Sequence, residues 1–104
     1  MVYGKLGRYQ DAVTAFQQAI RLQPEDAKVH YNLGAAYANL GRWQDAAAAF
    51  QQAIRLKPDD AGAHYGLGRA YLLLGDRVSA LEQYKILQTL DQNLADALFR
   101  VIHQ

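Results

Sequence analysis

The stretch LGRWQDAAAAFQQAIRLKPDD, Leu40 to Asp60, is a near copy of LGRYQDAVTAFQQAIRLQPED, Leu6 to Asp26. Sixteen of the 21 positions are identical. A looser third copy, LGDRVSALEQYKILQTLDQNL, runs from Leu74 to Leu94. The step is 34 residues throughout: it separates Gly7, Gly41 and Gly75, then Tyr3, Tyr37 and Tyr71, then Ala12, Ala46 and Ala80, and then Phe16, Phe50 and Tyr84. A constant period of this length marks a chain that stacks one supersecondary unit, each copy burying its apolar face on its neighbours.

Each period divides into two helices. Asp26 and Asp60 stand where N-caps belong, ahead of alanine-rich segments with apolar periodicity. Over Lys28–Leu40, residues His30, Leu33, Gly34 and Tyr37 recur at spacings of three and four and form the buried stripe. Gly41 follows as a C′ residue able to take the left-handed conformation. A second helix is predicted over about Trp43–Leu56, with Ala46, Phe50, Ala53 and Ile54 inward and Gln44, Asp45, Gln51, Gln52 and Arg55 outward. Pro58, like Pro24, stops it. Connections this short force neighbouring helices to run antiparallel.

The recurring residues resemble the tetratricopeptide repeat. Its Leu-Gly, Tyr, Ala, Phe, Ala, Pro signature reads here as Leu33, Gly34, Tyr37, Ala46, Phe50, Ala53 and Pro58. The third copy keeps Leu67, Gly68, Tyr71 and Ala80 but has Tyr84 for phenylalanine, Leu87 where a small residue is expected and Gln92 where proline is expected. The bulky residue after the turn is Tyr9 and Trp43, then Arg77, while His30 and His64 replace the early tryptophan. The resemblance implies an all-α, right-handed superhelical solenoid of antiparallel helix pairs. It is a single domain spanning 1–104: a partial repeat 1–26, a full repeat 27–60, a full degenerate repeat 61–94 and a terminal part-helix 95–104. Met1–Leu6 then reads as the last part of a first helix, turning at Gly7.

The same resemblance implies that the first helix of each pair lines a concave face that holds a protein or peptide. The partner-binding candidates are Lys28, Tyr31, Asn32, Asn39, Tyr65, Arg69, Phe99 and Arg100. Tyr31 and Tyr65 read equally well as groove residues and as packing between helices, since aromatics at helical spacing are commonly core. Lys5, Lys28, Arg69 and Arg100 against Asp96 favour a segment of acidic character. Some relatives clamp a terminal carboxylate with a lysine–asparagine–lysine–arginine set. Asn32 matches its asparagine, but Gly62 and Gly66 stand where the second lysine and the arginine belong, so no such clamp is expected.

Self-association is the second reading. The apolar last segment, with Leu98, Phe99, Val101 and Ile102, could cover the incomplete first unit of another copy around Tyr3. Other chemistry is not supported. His30 and His64 lie one repeat apart, on the order of 10 Å in stacked helices and too far to share a zinc. Gly66 and Gly68 lack the preceding strand of a phosphate-binding motif. Asp59 with Asp60 and Glu25 with Asp26 fit capping at helix starts. No cofactor and no catalytic set is expected. A net charge of +1 in 104 residues gives no bulk drive toward nucleic acid or acidic lipid. The absence of cysteine, of a signal-type N-terminus and of a membrane-length apolar run fits a cytoplasmic chain.

Overall fold

The computed structural model describes residues 2–104, and side chains from Gly7 onward. Six helices follow one another: α1 (Val2–Leu22), α2 (Ala27–Asn39), α3 (Trp43–Leu56), α4 (Ala61–Leu73), α5 (Arg77–Leu90) and α6 (Gln92–Ile102). Among the described residues there is no strand. Asp26 caps α2 by accepting from the backbone N–H groups of Lys28 and Val29, and Asp60 caps α4 through Ala63. Asp76 starts α5, accepting from both the backbone N–H and the hydroxyl of Ser79. The hydroxyl bond first, and the backbone bond second, hold the Asp76 carboxyl below its ordinary range.

The turns within the two full repeats close identically. Gly41 at φ 73° and Gly75 at φ 86° are the left-handed residues. Around them Arg42 N–H bonds Tyr37 O and Gly41 N–H bonds Ala38 O, and Asp76 and Gly75 repeat the pattern on Tyr71 and Leu72. This double closure satisfies carbonyls that the helix end would otherwise leave unpaired.

Packing follows the expected stripe. His30, Leu33, Gly34 and Tyr37 are buried on α2, and Ala46, Phe50 and Ala53 on α3. The Phe50 ring lies between two glycines, Gly34 of α2 and Gly66 of α4. A Cβ built on either would approach it to 2.8 Å and 2.6 Å. Two hydrogen bonds recur with the period and tie successive repeats. Gln17 donates to the Tyr37 hydroxyl at 3.0 Å, and Gln51 to the Tyr71 hydroxyl at 2.8 Å. The histidines recur too: Nε2 of His30 donates to Pro24 O at 2.9 Å and Nε2 of His64 to Pro58 O at 2.8 Å, since a carbonyl can only accept. Each imidazole therefore anchors the proline turn before its own helix.

Three features differ from the expectation. The helix α1 runs unbroken through Gly7, with no turn there. The last helix starts at Gln92 and not at Ala95. Asp91 both closes α5 and caps α6, accepting from Leu94 N–H, so a single residue separates the two helices. Leu87, at the expected small position, is fully buried with Ala80, Ala95, Leu98 and Ile102 in a second core cluster beneath α6.

Candidate functional site

A cleft of about 180 Å³ opens between α2 and α4, over α3. Tyr31, Ala35, Ala38 and Asn39 of α2 form one wall, and Gly62, Tyr65, Gly66 and Arg69 of α4 the other. Trp43 and Phe50 of α3 reach in between them. The cleft exists because α4 carries no side chain at Gly62 or Gly66. A Cβ at Gly62 would lie 3.3 Å from the Tyr31 ring, and one at Gly66 would strike the edge of Phe50. Both Tyr31 and Tyr65 are half-buried. Tyr31 packs on Phe50 with ring centroids 5.7 Å apart, tilted by 57°. It therefore packs on the core ring and walls the cleft at once.

Arg69 supplies the charge. Its guanidinium carbon lies 5.7 Å from the Trp43 ring centroid and 5.9 Å from that of Tyr65. Two electron-rich faces hold the cation at the rim. Among the described residues the ion pairs are Arg42–Asp45 at 2.8 Å and Arg55–Glu25 at 3.8 Å, and neither involves Arg69. The polar side-chain groups of the cleft lining are thus one guanidinium, the Asn39 amide, the Trp43 indole N–H and two phenol hydroxyls. The Asn39 amide nitrogen is spent on Ala35 O at 3.0 Å, leaving its oxygen outward.

Of the sequence candidates, the structure brings together Tyr31, Asn39, Tyr65 and Arg69. Lys28 and Asn32 are not in the cleft. They hold the registers of Gly62 and Gly66 one repeat earlier, and so belong to the junction facing α1. Phe99 and Arg100 stand one repeat later. Phe99 stacks on His103 at 4.0 Å and tilts against Tyr84 at 5.5 Å, while Arg100 Nε donates to Asp96 O. Ala38, Trp43 and Phe50 belong to the cleft and were not among the candidates. The signal for them was the glycine pair opposite, which uncovers the ring beneath.

The self-association set needs correction. Leu98 is fully buried and Ile102 is 2% exposed, both inside this chain's own second cluster, where Leu98 packs on Gly68. They are not free to meet a second copy. Their burial follows from the amphipathic α6, whose outward side presents Asn93, Asp96 and Arg100. Val101 is half-buried, Phe99 is exposed but engaged by its neighbours, and the Tyr3 side chain lies outside the described residues.

Comparison with known proteins agrees with this architecture. The second TPR domain of human RPAP3, solved in complex with the HSP70 peptide SGPTIEEVD, superposes with a TM-score of 0.88 at 22% identity, covering 98% of this chain and 87% of that one. The TPR2B domain of yeast Sti1, solved as a pHsp70 complex, gives 0.87 at 27% identity, covering 98% and 88%. A MamA structure from AMB-1 gives 0.77 at 30% identity over 81% of this chain but only 49% of its own. No curated protein matches the sequence. A family profile described as the tetratricopeptide repeat matches residues 1–61 and again 36–95. With that profile spanning nearly the whole length, and the paired-helix geometry beneath it, the chain belongs to the tetratricopeptide repeat family.

Proposed function

We propose that this chain is a non-catalytic interaction module that holds a segment of another polypeptide in the cleft between α2 and α4. The observation that carries the reading is the juxtaposition of Tyr31, Tyr65 and Trp43 with an arginine that has no ion pair among the described residues. Aromatic walls give flat contact area at small entropic cost, and a ring-held guanidinium gives direction. The cleft lining has no carboxylate, imidazole or thiol to run acid–base or covalent chemistry. The HSP70-peptide complex of the RPAP3 domain and the pHsp70 complex of the Sti1 domain support the same reading by likeness of fold.

Recovery of partners by the wild-type chain and by a Tyr31→Ala, Arg69→Glu variant tests it, with both proteins first shown to be folded by circular dichroism. The variant is expected to lose the partners that the wild type retains. Equal recovery of every partner by both proteins contradicts the cleft.

A further inference from the structure

We infer that the cleft selects an extended acidic segment inside a partner chain, reading one apolar side chain and one carboxylate side chain two positions apart. The inference rests on the cleft being the peptide site and specifies what that site reads.

The apolar subsite is the floor over Gly62 and Gly66. It is walled by Tyr31 and closed below by the Phe50 edge. A cavity of roughly 150 Å³ takes a benzene ring, so a cleft of about 180 Å³ admits one side chain of leucine to phenylalanine size. The charged subsite is Arg69, the one ionised group in the lining. Its guanidinium lies between two rings and has no carboxylate within ion-pair reach among the described residues. A planar guanidinium so held presents its remaining N–H donors to a carboxylate.

The spacing between the subsites sets the register. The middle of the Gly62–Gly66 floor and Arg69 are separated by about five helical residues, roughly 7 Å along α4 at 1.5 Å per residue. In an extended chain, side chains on one side recur every two residues, at about 6.6–6.8 Å. A segment lying along α4 therefore drops an apolar side chain onto the glycine floor and brings the side chain two positions away to Arg69. Charge complementarity selects aspartate or glutamate at that second place. Either chain direction satisfies the geometry. A terminal carboxylate is not required, because the same-side spacing places both groups within the segment.

The experiment is a selection from random peptides displayed inside a carrier loop, so that none has a free C-terminus. It is carried out on the wild-type chain and on Arg69→Glu. On the wild type, the recovered sequences are expected to pair an apolar residue with Asp or Glu two positions away. On Arg69→Glu the acidic preference is expected to give way to Lys or Arg. A synthetic binder, acetylated and amidated, should lose about tenfold in affinity on Arg69→Gln. Trp43, the single tryptophan, reports whether a recovered peptide enters the cleft. Peptides that perturb Trp43 emission without any acidic preference, or that bind only with a free C-terminal carboxylate, overturn this inference and leave the cleft as the binding site. Peptides that bind without perturbing Trp43 overturn both. Recovery of no binder from the loop library also overturns it.

Discussion

The junction of α2, α3 and α4 and the junction of α4, α5 and α6 share one scaffold, offset by 34 residues, yet their linings differ. Tyr31 and Tyr65 of the first become Tyr65 and Phe99 of the second, and Phe50 becomes Tyr84. The floor differs most. Gly62 and Gly66 become Asp96 and Arg100, which places a carboxylate and a long guanidinium side chain where the first junction has bare backbone. Trp43 becomes Arg77, and Arg69 becomes His103, which stacks on Phe99 instead of facing outward between two rings. The lining of each junction is therefore set by what a register omits as much as by what it carries. A conserved backbone geometry lets a single missing Cβ decide between an open groove and a filled one.

Several substitutions break or sharpen that contrast. The largest effect is expected at the ring between the glycines. Phe50→Ala should cost about 3–5 kcal/mol, and Tyr84→Ala clearly less, because Phe50 is 3% exposed while Tyr84 is only half-buried. Urea denaturation of the two variants measures this, and equal losses would show that the two junctions are packed alike. The turn glycines come next. Gly41→Ala and Gly75→Ala force a left-handed alanine and should each cost roughly 1–2 kcal/mol. Gly7→Ala, in the same register but inside a continuous helix with open space around it, should stabilise by up to about 1 kcal/mol. A loss at Gly7 would mean that the chain turns there after all.

Comparable effects follow at the floor and smaller ones at the caps. Gly66→Ala sets a Cβ 2.6 Å from Phe50, and overpacking of about 1–3 kcal/mol outweighs the better helix propensity of alanine. Arg100→Ala, one repeat on and exposed, should change stability by under about 0.5 kcal/mol. Thermal melts compare the pair. Asp60→Ala removes the bond to Ala63 N–H and should cost about 1 kcal/mol. The smallest is a pH effect at Asp76. Its folded-state pKa is lowered by Ser79, so its contribution is present above the unfolded carboxylate range and is lost as pH falls through the lowered folded value. Ser79→Ala should flatten that acid limb in melting temperature against pH, and an unchanged limb would count against the Ser79 bond.

Much of this was legible because the copies are nearly identical. The period placed Gly41 and Gly75 at left-handed turns, Asp26 and Asp60 at caps, and His30, Leu33 and Tyr37 in the core. The bounds of α3 were read to the residue. The misreadings sit where the period is imperfect. At Gly7 the helix runs on through the register that turns at Gly41 and Gly75, and at Gln92, where the other copies have proline, α6 begins directly after Asp91. Leu98 and Ile102 were read as a surface for another copy, because an apolar stripe alone does not say which neighbour covers it. The cleft was half legible. Tyr31, Asn39, Tyr65 and Arg69 could be assigned from helical register, but Phe50 and Trp43 reach it from the second helix through a gap. Helical register also assigns Gly62 and Gly66 to this face, but register alone does not show that their lack of side chains opens the cleft.

The most direct test of the account is fluorescence of Trp43 during titration with a peptide that binds the chain, since the single tryptophan stands in the cleft wall beside Arg69. The account predicts a saturable change in emission with the same midpoint as the heat of binding, weakened in parallel by Arg69→Gln. Binding heat that saturates while Trp43 emission stays constant would contradict it.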